Sequence, residues 1–207
     1  MYTISDCERL LGGRVPGIQG VKGHFAVLAA LVDWEGEAHL LFEVRSDTID
    51  RQPGEISLPG GEMEPGETPE ACALRETWEE LSIPASAIHP IAPLDVLHTG
   101  DIALYPILAR VDADAVRRML PSEIEVKDTF LAPLSFFEED PYIYPYTMLP
   151  PVGDDFPYSR IGFPDGYPWR RIHGEVILYE YGARPVWGLT ASIIRHLLRT
   201  LRDAERA

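Results

Sequence analysis

Residues 61–83 read GEMEPGETPEACALRETWEELSI, and this stretch decides the fold. Thr68 followed by Pro69 predicts a helix start. The threonine hydroxyl can accept from a free N–H of the first turn, proline at the first helical position has no N–H to leave unsatisfied, and Glu70 suits the positive end of the helix dipole. Along that helix Ala71, Leu74, Trp78 and Leu81 recur at offsets of three and four, which predicts an apolar stripe. Glu76, Glu79 and Glu80 fall at i, i+3 and i+4 on another side, so the spacing predicts three converging carboxylates. Like charges held this close repel, and a cation between them relieves the repulsion. Hard oxygen donors of this kind suit Mg2+ or Mn2+. The plainer alternative is a solvated acidic helix face.

Two further features weigh against that alternative. Pro59-Gly60-Gly61 stands just ahead of the helix, where missing side chains let backbone carbonyls approach a metal or a phosphate. The six identities Gly61, Glu67, Arg75, Glu76, Glu79 and Glu80 at fixed offsets should also arise by chance in only roughly one chain in a hundred thousand of this length. These residues, with the apolar Ile83, resemble the Nudix box. Thr77 departs from it where the family has an aliphatic residue, and Ser82 where it has glycine. A non-glycine residue in a left-handed helix end costs roughly 1 kcal/mol, so an altered helix end with an intact site is expected.

The resemblance implies an α/β/α sandwich with a central mixed β-sheet and hydrolysis of a P–O–P linkage dependent on Mg2+ or Mn2+. It further implies that Glu76, Glu79, Glu80 and the Gly61 carbonyl hold the metal, with Gly60 and Gly61 beside the substrate. Arg75 is expected to orient Glu79 one turn on. Glu76, or an acid recruited from the region after the box, Glu125 or Asp128, would accept the proton from water.

A second stretch narrows the substrate. Leu40-Leu41-Phe42-Glu43-Val44-Arg45-Ser46, then Gly54-Glu55-Ile56-Ser57-Leu58-Pro59-Gly60-Gly61, resembles the extra motif that coenzyme A pyrophosphatases carry ahead of their Nudix box. It departs at Asp50 and Gln52, where that group has arginine and histidine, and at Leu58, where it has phenylalanine. The 3′-phosphate of coenzyme A is a dianion that wants Arg or Lys, and Arg45 and Arg51 are the candidates to supply it. The segments Glu125-Val126, Asp128, Phe130 and Trp187-Gly188-Leu189-Thr190-Ala191 extend the likeness. Coenzyme A or an acyl derivative would give 4′-phosphopantetheine and adenosine 3′,5′-bisphosphate. Other diphosphates (ADP-ribose, NADH, a nucleotide sugar) remain alternatives, as does a non-catalytic nucleotide sensor, which would be expected to have lost box carboxylates.

With 207 residues, 45% of them hydrophobic, the chain can bury one good core, and a single domain over residues 1–207 is expected. A formal net charge of −15 repels long polyanions, so a nucleic-acid partner is not expected, while a small phosphorylated substrate stays compatible through bound cations. Cys7 and Cys72 lack ligand or redox spacing and read as reduced, buried thiols. No basic segment followed by an apolar run opens the chain, and the run Phe25–Val32 is too short for a membrane span. A cytoplasmic protein without membrane association, with a homodimer allowed, is the expectation.

Strands are predicted at Phe25–Val32 and Ala38–Val44 around a turn at Trp34-Glu35-Gly36-Glu37, at Leu94–Leu97, at Ile102–Val111 and at Glu175–Tyr181. Short helices are predicted after Ser5 and over Ala113–Leu120. A terminal helix capped by Thr190 should bury Ile193, Ile194, Leu197, Leu198 and Leu201. The Pro- and aromatic-rich segment Pro141–Arg171 shows neither period and reads as a long ordered loop or lid whose rings could contact an adenine base or cover the cleft.

Overall fold

The computed structural model describes residues 2–150, 152–153 and 155–207. Helix α1 (Ile4–Leu11) is capped by Thr3, whose hydroxyl accepts from the Asp6 N–H while the Asp6 carboxylate accepts from the Thr3 N–H. Ser5, the expected cap, sits inside the helix, because the capping box forms earlier, between Thr3 and Asp6. No residue of α1 is buried, so Cys7 is exposed rather than buried as expected.

Strand β1 (Gly23–Trp34) turns through Glu35 and Gly36, with φ of 55° and 84°, into β2 (Glu37–Arg45). Positive φ at both central residues is the turn whose twist matches a hairpin. Beyond it lie β3 (Ile56–Ser57), β4 (Gly60–Glu62), helix α2 (Pro69–Leu81), β5 (Ile88–Pro93), β6 (Leu97–Thr99), β7 (Ile102–Val111), helix α3 (Ala113–Arg117) and β8 (Val126–Pro133). The main sheet runs β3-β2-β1-β7-β5, with β4 also on β1, β6 on β7 and β8 on β2. The β1–β7 pairing is parallel and the others are antiparallel, so the sheet is mixed.

Period-two alternation along β1 makes both faces apolar. Ala26, Leu28, Ala30 and Val32 pack with Cys72, Ala73 and Leu81 of α2 and with Val116 of α3. Phe25, Val27, Ala29 and Leu31 face the opposite cluster. That second face is covered by β10 (Ile172–Tyr181), β11 (Arg184–Trp187) and helix α4 (Gly188–Glu205), with β9 (Tyr142–Met148) as the outer strand of their three-stranded sheet. Helices on both sides of a mixed sheet make the expected α/β/α arrangement.

Several details differ from the sequence reading. The buried side of α2 is Cys72, Ala73, Thr77, Glu80 and Leu81, while Trp78 is 54% exposed. The helix turns small side chains to the sheet so that the backbones approach closely, and the Thr77 hydroxyl is satisfied by the Ala73 carbonyl at 2.7 Å. Strand β5 escaped detection because Pro90 and Pro93 break the pattern. It lies at the sheet's edge, where a missing N–H is tolerated. The predicted strand at Leu94–Leu97 reduces to β6, which starts at Leu97. Helix α3 stops at Arg117, short of Leu120. Helix α4 begins at Gly188, and Thr190 does not cap it but donates to the Ile56 carbonyl at 3.2 Å. Leu201 is exposed near the end of α4, beyond the packed turns. The segment Pro141–Arg171 contains strand β9, every residue of which is exposed, so no alternation marks it. Residues 151 and 154 of that segment lie outside the described residues.

Candidate active site

Helix α2 ends against β4, and the fit requires glycine. Gly60 has φ 150°, and a Cβ there would lie 2.2 Å from the Ala26 carbonyl oxygen. A Cβ on Gly61 would lie 2.4 Å from the carboxyl carbon of Glu76. The Gly60 N–H donates to Glu80 Oε2 at 2.9 Å, so the loop backbone and the last turn of the helix lock together. At the other end, Thr68 accepts from the Ala71 N–H at 3.2 Å, the predicted cap. Ser82 closes the helix with φ 56° and ψ 28°, the left-handed end foreseen for the glycine departure, and its hydroxyl donates to the Leu120 carbonyl.

Arg75 organises the acidic array. Its guanidinium donates to both oxygens of Glu67 at 3.0 Å, to Glu76 at 2.6 Å, to Glu79 at 3.0 Å and to the Glu62 carbonyl at 3.1 Å. The contact one turn on to Glu79 is the one expected. Arg75 holds the Glu67 carboxyl down to about 2. Among the described residues no three acidic, histidine or cysteine side chains form a metal cage. Glu79 is about half exposed and turned to Arg75. A guanidinium one residue before Glu76 and four before Glu79 reaches both, and neutralises them where they stand.

Glu80 is 4% exposed, and burial pushes its carboxyl well above the usual range, helped by the nearby charge of Glu43. Burial raises Glu76 too, against the pull of Arg75. Glu43 was missed at the sequence level. It is 1% exposed, accepts from the Ser57 hydroxyl at 2.9 Å through Oε1, and its Oε2 is buried with no hydrogen-bond donor. Desolvation raises its carboxyl as well. The available signal was a glutamate inside the apolar run Leu40-Leu41-Phe42, on the same strand face as Leu41, which packs against α2.

A cavity of about 880 Å3 opens beside these groups. Its lining includes Glu76, Glu80, Glu125, Gly60, Gly61, Arg45 and Arg51. Arg45 Nε donates to the Arg51 carbonyl at 3.2 Å, which ties the β2 end to the loop before β3. The lining also includes Phe25, Leu104, Val176, Leu189 and Tyr146. Tyr146 packs over Gly174, its cross-strand partner, so one ring of the aromatic segment does reach the cleft. Glu79 and Asp128 do not line the cavity. Asp128 is held by Arg184 at 2.9 Å and by the Thr129 N–H.

A divalent cation suits the donor set. The cavity offers hard oxygens from Glu76, Glu80 and the Gly61 backbone, the glycines leave room for approach, and buried carboxylates without a cationic partner gain most from positive charge. No helix among the described residues is long and apolar enough to cross a membrane.

Comparison with known proteins gives the following likenesses. The NUDIX domain model matches residues 22–106. The chain is 31% identical over 191 residues to an uncharacterized Nudix hydrolase, NudL, of Yersinia enterocolitica, covering 88% of this chain and 84% of that protein. It is 33% identical over 134 residues to the peroxisomal coenzyme A diphosphatase NUDT7 of Mus musculus, covering 64% of this chain but only 56% of the mouse protein. With the mitochondrial coenzyme A diphosphatase NUDT8 of Homo sapiens the identity is 29% over 199 residues, covering 94% and 76% of the two chains. A solved MutT/nudix family protein from Enterococcus faecalis superposes with a TM-score of 0.52 at 13% identity, over 97% of this chain and 70% of that one, a likeness of fold alone.

Proposed function

The chain belongs to the Nudix hydrolase family, and from that premise we propose that it hydrolyses the diphosphate linkage of coenzyme A or an acyl-CoA with the help of Mg2+ or Mn2+. The single observation that carries the reading is the mixed lining of the cavity. Carboxylates, arginines, a glycine-lined backbone and a set of apolar side chains all face it. A diphosphate flanked by a nucleotide and a long pantetheine arm matches that mixture. The names of the mouse and human relatives point to the same substrate.

Glu76, Glu80 and the Gly61 carbonyl are the groups that would hold the cation, joined by Glu79 once its side chain turns from Arg75. The metal, when bound, neutralises the diphosphate and acidifies an attached water. Arg45 and Arg51 bind phosphate oxygens and orient the substrate, and Arg45 is held for this by its bond to the Arg51 carbonyl. Water attacks phosphorus, the bridging P–O bond breaks toward the leaving phosphate, and the proton released passes to Glu125 or Glu76, both at the cavity wall. Asp128 drops out as acceptor because Arg184 and the Thr129 N–H occupy its carboxylate. The reaction belongs in a reducing compartment, the cytoplasm being our choice, since Cys7 and Cys72 are both free thiols.

The test is a substrate panel of coenzyme A, acetyl-CoA, ADP-ribose and NADH, with and without Mg2+, run alongside Glu80→Gln. Coenzyme A substrates should turn over fastest, only with metal, and Glu80→Gln should fall by 100-fold or more, on the order expected for losing a charge that acts in the transition state. Faster turnover of ADP-ribose or NADH would move the assignment to that substrate. Full Mg2+-dependent activity of Glu80→Gln would remove the metal role from the helix.

A further inference from the structure

A second cavity, of about 400 Å3, adjoins the first, and Leu97, Glu175, Ser192 and Ile193 line both. The sheet register sets its distance from the glycine loop. Gly60 of β4 pairs with Val27 of β1, and Val27 pairs with Pro106 of β7, which lines the second cavity. Two strand spacings, about 10 Å, therefore lie between Gly60 and Pro106. The charged groups around this cavity are Asp95, Glu175, and Arg195, His196 and Arg199 of α4. Arg195 Nη1 donates to Glu175 at 2.8 Å, and His196 Nε2 lies 3.0 Å from Asp95. Those pairs occupy both acids, and Arg199, one turn beyond Arg195 and exposed, belongs to neither. The bond to Glu175 uses one nitrogen of the Arg195 guanidinium, a group that carries N–H donors on all three of its nitrogens.

Arginines near a helix end are accounted for by the helix dipole, which acts only within the last turn. That does not explain Arg195, which stands in the middle of α4 with a side chain only 17% exposed. Two guanidiniums one turn apart beside a cavity suit a phosphate, because each offers a planar fork and a dianion accepts from both. In a chain of net charge −15 a phosphate needs such local cations to approach. Neither Glu76 nor Glu80 lines this cavity, so the anion it takes is not the diphosphate under attack. We propose that the second cavity is a subsite for a ribose 3′-phosphate, held by Arg199 and Arg195 while the diphosphate lies in the first cavity with Arg45 and Arg51. The inference rests on the coenzyme A reading proposed above, whose substrate carries that phosphate one sugar away from the diphosphate. It makes α4, which lies outside the matched residues 22–106, a determinant of which nucleotide diphosphate is accepted.

The experiment is calorimetric titration of the full chain with adenosine 3′,5′-bisphosphate and with AMP, which differ only in the 3′-phosphate. Mg2+ is present throughout, since neither compound holds a diphosphate to hydrolyse. The wild type should bind the bisphosphate about 10- to 100-fold tighter, the scale of hydrogen bonds between charged groups. Arg199→Ala and Arg195→Ala should each cut that preference by about fivefold or more. Arg202→Ala removes an equal charge from the same helix but outside the cavity, and should leave the preference within about twofold of wild type. Equal affinity for the two compounds in the wild type, absence of binding included, would overturn the proposal. So would full preference in Arg199→Ala, or a loss in Arg202→Ala as large as that in Arg199→Ala. Tighter binding of adenosine 2′,5′-bisphosphate would also overturn it, by moving the phosphate to another ribose position. Should Arg195→Ala not fold, as circular dichroism would show, Arg199→Ala carries the test alone, its side chain being exposed. Turnover of coenzyme A is measured separately. Its absence alongside a retained binding preference would remove the proposed reaction and leave the subsite, whereas turnover without any preference would remove the subsite and leave the reaction.

Discussion

At the scale of single residues, the site depends on two positions where chemistry leaves little choice. Gly60 combines φ 150° with an approach to Ala26 that no side chain tolerates. Gly60→Ala should lose about 1–3 kcal/mol for the backbone conformation alone, with a further penalty for the clash. Urea unfolding should show a lower midpoint with an unchanged slope, and activity should fall because the displaced backbone carries its N–H away from Glu80. Arg75 shows the complementary case, in which one planar guanidinium serves three carboxylates and a carbonyl. Lysine brings the charge without the fork. Arg75→Lys should therefore lower Mn2+ affinity about 10-fold or more while leaving the fold intact, as judged by circular dichroism. Near-wild-type affinity would reduce Arg75 to a surface charge.

At the scale of elements, α2 was legible at both ends and misread along its side. Thr68-Pro69 and Ser82 are local signals, set by backbone groups within one turn, so they survive folding unchanged. Which face packs is decided by the partner. The β1 face offers Ala26, Leu28 and Ala30, a shallow surface that admits Cys72 and Ala73 closely and leaves Trp78 outside. Ser82→Gly tests the helix end. It removes roughly 1 kcal/mol of left-handed strain but also the bond to the Leu120 carbonyl. A rise in melting temperature of about 2 °C or less is expected by calorimetry, with kcat unchanged. Strands β5 and β9 were lost for opposite reasons: prolines mask the first at an edge, and exposure of both faces erases alternation in the second.

At the scale of the whole molecule, the buried acids and the net charge of −15 act together. Glu43 and Glu80 hold their protons more tightly folded than unfolded, where the ordinary value is 4.5. Above 4.5 the unfolded chain has released those protons and the native chain has not, so stability falls as pH rises through that window. Self-repulsion of the acidic surface adds in the same direction. Glu67 works the other way, since the stabilisation it draws from Arg75 is lost as pH falls from 4.5 toward about 2. The melting temperature in EDTA should therefore decline between about pH 5 and pH 8, and saturating Mg2+ should flatten the decline by replacing protons with metal charge. A profile that is the same with and without Mg2+ would argue that no cation reaches the buried pair.

The family, the α/β class, the helix start and end, the hairpin and the acidic spacing could be read from residue order alone, because each is written in residues close to one another along the chain. It took folding to give Arg75 its grip on Glu67, Glu76 and Glu79 at once, to tie Asp128 to Arg184, and to bury Glu43 and Glu80. Glu43 and Glu80 are 37 residues apart, and the burial of both exists only once β2 and α2 have packed and water has left.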